Sequence, residues 1–261
     1  MLLHSDEKNI FAGMSDALVI IPTYNEKENI ERMVRKVFSL PIEVDLLIVD
    51  DGSPDGTGQI VKTLQQEFGT RLHLLERSGK NGLGTAYIAG FGYALERHYQ
   101  YIFEMDCDFS HNPEDLAKLY KACKDDGADL AIGSRYVTGV NVVNWPMSRV
   151  LLSYYASAYV RFVTNMAVRD ATAGFKCYTR KVLETVDLDR IKFKGYAFQI
   201  EMKFVAWKLG FTLREVPIIF TERLEGVSKM SGGIVREAAL GVIDMRLRAL
   251  FGKIRPKATS L

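Results

Sequence analysis

Two short apolar runs, Ala17-Leu18-Val19-Ile20-Ile21-Pro22 and Leu46-Leu47-Ile48-Val49-Asp50, constrain this chain more than any other feature. Neither alternates apolar with polar, so each reads as a strand buried on both faces, and such strands belong to parallel sheets. Between them, Asn29 to Leu40 sets Ile30, Val34, Val37 and Phe38 on one helical face. The alternation continues with a helix over Gln59 to Phe68, a strand over Arg71 to Leu75 and a helix over Thr85 to His98. Tyr101 to Met105 then reads as strand, Pro113 to Lys124 as helix and Ala128 to Ile132 as strand. This order predicts an α/β fold, a mostly parallel, doubly wound sheet flanked by helices. Ligands of such sheets sit beyond the carboxyl ends of the strands. The second half is less regular. Trp145 to Met166, Ala197 to Leu209 and Ile234 to Phe251 read as helices, and Leu213 to Phe220 as a strand.

Composition narrows the classes of function. The 261 residues suffice for one large domain with a C-terminal appendage, and 48% apolar with 25% charged residues describes a globular chain. A net charge of +2 gives no general reason to expect nucleic acid. Basic excess is local. From Arg246 to the end, Arg246, Arg248, Lys253, Arg255 and Lys257 are accompanied by no Asp or Glu, and the stretch from Asn144 to Arg169 holds three arginines and no acid. Such stretches suit anionic lipid headgroups or a phosphate substrate, and equally a solvated face. Cys107, Cys123 and Cys177 have no paired spacing, which points to a reducing cytoplasm. Met1 to Met14 does not read as a signal peptide, and no apolar run approaches the ~20 residues of a transmembrane helix.

Acids cluster where the strands end: Asp50 and Asp51 after the second, Asp106 and Asp108 after Tyr101 to Met105. Two carboxylates one residue apart can share a divalent cation with the phosphates of a substrate. With 16 Asp in the chain, about one Asp-x-Asp triplet is expected by chance. A second, Asp187-Leu188-Asp189, reads as a solvated turn, so position carries the case for Asp106 and Asp108. Pro22-Thr23-Tyr24-Asn25-Glu26 closes the first strand, with the proline ending the ladder and the tyrosine able to stack on a base. In Asp50-Asp51-Gly52-Ser53-Pro54-Asp55-Gly56-Thr57 the carboxylates can accept from a ribose or a base, Gly52 and Gly56 permit sharp turns, and Asp55 or Thr57 can cap a helix. Gly79 to Thr85 lacks the spacing of a phosphate-binding P-loop, and the first strand-helix turn lacks G-x-G-x-x-G.

Taken together these segments resemble GT-A-fold glycosyltransferases of family 2, and among them the dolichol-phosphate and polyprenol-phosphate mannose synthases. The matching pieces, in order from Pro22 to Met230, are PTYNEKENI, VDDGSPDGTG, GKNGLGTAYIAGF, MDCDFSHNP, GSRY, DATAGFKCY, GYAFQIEM and VPIIFTERLEGVSKM. The resemblance implies GDP-mannose as donor, Mg²⁺ or Mn²⁺ as cofactor and a dolichol or polyprenol monophosphate as acceptor. It implies that Pro22, Tyr24, Glu26, Val49 and Asp51 hold the guanosine, and that Asp106, Cys107 and Asp108 meet the donor diphosphate. Asp106 and Asp108 would bind the metal, with Ser110 as a short third ligand. Arg135 would face the phosphates or the acceptor, and Arg223 and Lys229 would close over the diphosphate, with Gly226 as hinge. Arg223 and Lys229 would stabilise the charge that develops as GDP departs.

A lipid phosphate is already an anionic nucleophile, so no general base is demanded. Asp170 and Glu201 are the candidates if one exists, and either can instead be structural. Attack opposite GDP would invert the anomeric centre. Trp145 to Met166 and Ile234 to Phe251 are candidates for lying in a membrane surface, or for ordinary core packing. The expected organisation is an extension over 1–15, a glycosyltransferase domain over 16–230, and an amphipathic helix with basic tail over 231–261. The expected location is peripheral on the cytosolic face of a membrane, with a separate membrane-anchor subunit as a possible partner. Alternatives are a UDP-glucose-dependent transferase to the same lipid and a non-catalytic subunit that binds sugar nucleotide.

Overall fold

The computed structural model describes the backbone of residues 15–222 and 232–258, and side chains for all of these except 232–237. A seven-stranded sheet has the order β3-β2-β1-β4-β7-β5-β8. Its strands are β1 (Ala17–Thr23), β2 (Asp45–Asp50), β3 (Leu72–Glu76), β4 (Tyr101–Glu104), β5 (Leu130–Ser134), β7 (Lys176–Thr179) and β8 (Leu213–Pro217). A small second sheet joins β6 (Val142–Val143) to β9 (Phe220–Thr221). The pairings among β1, β2, β3 and β4 are parallel, as is β5 with β8, whereas β7 runs antiparallel to both β4 and β5.

The helices are α1 (Ile30–Phe38), α2 (Thr57–Phe68), α3 (Leu83–Leu95), α4 (Leu116–Lys124), α5 (Met147–Thr164), α6 (Arg180–Thr185), α7 (Tyr196–Lys208) and α8 (Gly232–Leu250). Because strand side chains alternate, β1 sends Leu18 and Ile20 into one core and Val19 and Ile21 into the other. The second core packs under α1, α2 and α4. The first packs under α3 and α7, with α8 laid on α7 and α5 on α8. Every residue of α7 from Ala197 to Ala206 is buried, as befits a helix covered on all sides. A Cβ on Gly84 would come within 2.7 Å of Phe198, so only glycine lets α3 approach α7 this closely.

Three sequence expectations change. Pro22 does not end the ladder: β1 runs on to Thr23, with Pro22 opposite Val49 of β2. The proline is tolerated because β1 pairs with β4 only over Ala17–Ile20, so its missing N–H falls where no strand is waiting. Leu213 to Phe220 is not one strand but splits into β8 and β9, which join different sheets. The antiparallel β7 was not expected. Its Lys-Cys-Tyr-Thr sequence hides a buried lysine, which hydropathy alone does not assign to a central strand.

Candidate active site

β1, β2 and β4 deliver their carboxyl ends side by side, and the loops that follow are laced together. Thr23 Oγ1 donates to Asp50 Oδ1 at 2.8 Å, and the Asp51 N–H donates to the Thr23 carbonyl at 3.0 Å. Asn25 N–H reaches Ser53 Oγ at 3.0 Å and Glu26 N–H reaches Thr57 Oγ1 at 3.0 Å. Asp55 accepts from the N–H groups of Lys27 and Thr57, so it caps the turn. Gly52, at φ 69°, makes this crossing possible, with the Arg77 carbonyl 3.2 Å from where a Cβ would stand.

Asp51 is nearly enclosed, and its Oδ1 lies 3.3 Å from Arg77 Nη1. Burial raises the Asp51 carboxyl above its usual range against the pull of Arg77. The Lys80 ammonium lies 4.9 Å over the Tyr24 ring. Pro22, Tyr24, Glu26 and Asp51 thus share one edge of the sheet. Val49 shares it in backbone only, since its side chain is enclosed in the core.

Asp106 and Asp108 follow β4. The intervening Cys107 turns into the core and its thiol is pushed up by burial, so the side chain is not part of the cavity wall. The sequence assignment of Cys107 to the donor diphosphate is left with its backbone alone, because the chain bends after β4 and the thiol packs in the core. Asp106 keeps 42% of its side chain exposed, and the fully buried Tyr87 donates to its Oδ1 at 3.5 Å. Phe109, at φ 58°, is in a left-handed conformation that costs a bulky residue about 1–3 kcal/mol. The bend turns both the N–H and the hydroxyl of Ser110 onto Asp108 Oδ1, at 3.1 and 2.6 Å. Ser110 therefore fixes the second carboxylate.

Beneath the triplet lies a closed polar cluster. Lys176 Nζ is 3.1 Å from Glu104 Oε2, Tyr178 OH donates to Glu104 Oε1 at 2.8 Å, and Lys176 donates to Gln199 Oε1. Glu104 and Lys176 are both fully buried, so this pair ties the end of β4 to β7 and α7.

Among the described residues, no group of three or more His, Cys, Asp and Glu side chains is arranged to hold a metal. The donor set still fits a hard divalent cation. Mg²⁺ is usually bound through one or two carboxylates, leaving coordination positions to phosphates and water. His111 is buried beside the pair, with Nδ1 3.9 Å from Asp106 Oδ2 and without a hydrogen-bond partner among the described residues. Its ring stacks on Phe175 at 5.0 Å, and burial lowers its pKa to about 4. Asp106 and Asp108 would hold the cation, with His111 presenting a neutral nitrogen alongside.

The two aspartates open into a cavity of about 440 Å³ whose wall includes Ser110, His111, Arg135, Trp145 and Arg149. Its far side is apolar, with Leu152, Tyr155, Ala156 and Tyr159 of α5 facing Ile200 of α7 and Val242 of α8. Arg135 follows β5 and is pinned by Asp170, which accepts from its Nε at 2.7 Å, its Nη2 at 2.6 Å and its backbone N–H at 3.0 Å. Burial would raise Asp170, but the charge and hydrogen bonds of Arg135 outweigh it and hold the carboxyl below its usual range. Asp170 is thus committed as a structural anion. Glu201 is held in a structural role by its contacts: it accepts from the N–H groups of Lys192 and Phe193, each at 2.9 Å, and from Arg248. Neither is placed as a general base.

Arg223 and Lys229, with Gly226, lie outside the described residues. Sequence reading did not single out His111, Trp145 or Arg149. His111 sits in the MDCDFSHNP segment, and the other two fall in or beside the acid-free stretch already noted, where only the fold shows which basic residue turns inward.

The sheet order, with acids at the carboxyl ends of adjoining strands and a cavity beside them, defines a GT-A-type nucleotide-sugar transferase architecture. The model for glycosyl transferase family 2 matches residues 18–187, and the chain belongs to that family. It is 49% identical over 238 residues to the polyprenol monophosphomannose synthase of Mycolicibacterium smegmatis, covering 91% of this chain and 89% of the relative. It is 46% identical over 240 residues to the undecaprenyl-phosphate mannosyltransferase of Micrococcus luteus, covering 92% and 98%. Among solved structures, a mannosyltransferase from Pyrobaculum calidifontis in complex with GDP-Man and Mn²⁺ superposes at a TM-score of 0.55 with 16% identity, covering 96% of this chain and 77% of that one. Glucosyl-3-phosphoglycerate synthase from Mycobacterium tuberculosis, with Mn²⁺, UDP and product, superposes at 0.66 with 17% identity, covering 91% and 81%. At these identities the two structures establish a shared fold.

Proposed function

We propose that the chain transfers mannose from GDP-mannose to a polyprenol or dolichol monophosphate, with inversion, giving polyprenyl β-D-mannosyl phosphate and GDP. The observation that carries this reading is one cavity joining Asp106 and Asp108 to Arg135, Arg149 and an apolar wall. A reaction between a nucleotide diphosphate sugar and a lipid phosphate needs those three surfaces in contact. The two named relatives, which cover nine-tenths of the chain, support the same sugar and the same acceptor class.

In this reading Pro22, Tyr24, Glu26, Asp51 and the Val49 backbone border the guanosine, and Asp106 and Asp108 hold Mg²⁺ or Mn²⁺. The cation, when bound, offsets negative charge on the donor diphosphate. Tyr87 and Ser110 orient the two carboxylates. Arg135, immobilised by Asp170, and Arg149 supply the guanidinium groups that meet the acceptor phosphate. Arg223 and Lys229 are assigned to the leaving diphosphate. The phosphate attacks already ionised, which suits a site where Asp170 and Glu201 are tied up in ion pairs.

Exposed apolar side chains lie along the two helices that form the apolar wall, α5 and α8. On α5 they include Leu151, Tyr155 and Phe162, and on α8 they include Leu240, Leu247 and Leu250. No helix among the described residues is long and apolar enough to cross a membrane. The chain is therefore assigned to the surface of a bilayer, on the face that meets GDP-mannose.

Incubation with GDP-mannose, Mg²⁺ or Mn²⁺ and a short polyprenyl phosphate should yield the mannosyl lipid by mass spectrometry. Asp108→Ala should lower turnover by about 10²-fold or more; full turnover in that variant would remove the metal role. UDP-glucose as an equal or better donor would replace the sugar assignment.

A further inference from the structure

Two N–H groups in the cavity wall are buried without an acceptor among the described residues, Trp145 Nε1 and Arg149 Nε. They are neighbours, since the Arg149 guanidinium lies 4.2 Å over the Trp145 ring. The Arg135 guanidinium is 5.4 Å from the same ring. Leaving a buried donor unmet is costly, so two in one wall mark a place suited to acceptor oxygens.

The wall also carries an internal competitor. Arg149 Nη1 is bound to the Glu222 carboxylate, which uses one of the five donors of the guanidinium and leaves Nε unmet. The two arginine–carboxylate pairs around Trp145 differ in enclosure. Asp170 has no exposed side chain and receives three N–H bonds from Arg135, whereas Glu222 is 26% exposed and Arg149 is 23% exposed. With both pairs formed, Arg135 and Arg149 are neutralised and the wall has no surplus charge for an anion. If Glu222 swings out, one positive charge and the two unmet donors are left facing the cavity.

We propose that Glu222 occupies Arg149 as a stand-in for the acceptor's phosphate. On binding, the phosphate monoester displaces it and takes the Arg149 fork, Nε included, together with the Trp145 indole N–H. The inference rests on the reading that a polyprenyl phosphate is the acceptor. A monoester has three terminal oxygens, enough to meet a side-on guanidinium and an indole at once. Its prenyl chain would continue along Leu152, Tyr155, Ala156 and Tyr159. Retaining Glu222 on Arg149 would set a carboxylate against the incoming dianion, so exchange is required rather than addition.

The test is calorimetric binding of geranyl phosphate, inorganic phosphate and geraniol to the full chain, with Glu222→Gln, Arg149→Gln and Trp145→Phe as variants and thermal melts as a folding control. The chain has two tryptophans, so in a Trp207→Phe background the emission of Trp145 reports occupancy of its own site. Expected is a shift of that emission by geranyl phosphate and a Kd about five-fold lower in Glu222→Gln, the scale of a part-exposed ion pair. Arg149→Gln and Trp145→Phe should weaken geranyl phosphate while GDP-mannose binding is unchanged. Geraniol should gain nothing from Glu222→Gln. An unchanged or raised Kd in Glu222→Gln overturns the inference even if Arg149→Gln abolishes binding, in which case the acceptor reading stands without it. If inorganic phosphate binds and gains from Glu222→Gln but geranyl phosphate does not bind, the exchange stands and the lipid acceptor falls. Failure of both phosphates to perturb Trp145 overturns both.

Discussion

Two arginines face one tryptophan, and their carboxylate partners differ in every respect that matters. Arg135 and Asp170 are sealed, joined by a forked pair of side-chain bonds and a backbone bond, and close the end of β5 against the loop before β7. Arg149 and Glu222 are part-exposed, joined through one nitrogen, and connect the first turn of α5 to the residue after β9. Burial turns an ion pair into a rigid part of the frame, because breaking it strands a charge in low dielectric. Partial exposure makes the same chemistry exchangeable, because water receives the released carboxylate. The first pair shapes the cavity and the second regulates what enters it.

The largest way to break this comparison is Asp170→Ala. It strands Arg135 and should cost about 3–5 kcal/mol, read as a lower urea midpoint. Glu222→Ala, by contrast, should change stability by under ~1 kcal/mol; equal losses in the two variants would erase the distinction. Arg135→Lys should follow, since an ammonium cannot reproduce the fork on Asp170, with a loss of about 2 kcal/mol, whereas Arg149→Lys should unfold like the parent.

Acid supplies a finer test. The folded carboxyl of Asp170 is depressed, so its contribution is complete above the ordinary carboxylate range and is lost as pH falls through the folded value. Asp170→Asn should therefore flatten the acid limb of the stability curve below the ordinary carboxylate pKa of about 4. Smallest of all, salt should weaken the Arg149–Glu222 pair more than the enclosed one. Glu222→Gln should then help acceptor binding less at ~1 M salt than at ~0.1 M.

Much of the frame was legible beforehand because it rests on local pattern. Continuous apolar runs could only be central strands, and the helical spacing of Ile30, Val34 and Val37 is met by α1 with all three buried. The positions of Asp51, Asp106 and Asp108 followed, since strand ends are set by where the apolar run stops. β7 was not legible: its Lys176 is paid for by Glu104, which lies 72 residues earlier on β4, and no local window contains both. For Asp170 the sequence leaves both a base and a structural partner of Arg135 open, and the contact across 35 residues decides for the partner.

The sequence by itself determined the parallel strands β1 to β4, their acidic edge and the family, because hydrophobic period and motif order are properties of the chain. Tertiary structure alone decided what the charged groups do. It assigned Asp170 and Glu201 to ion pairs, turned Cys107 inward, bent Ser110 onto Asp108, and brought Trp145 and Arg149, each with a donor unmet among the described residues, to the cavity that the acidic pair lines. A charge acquires its role from the partner and the dielectric around it, and both are fixed only when distant segments meet.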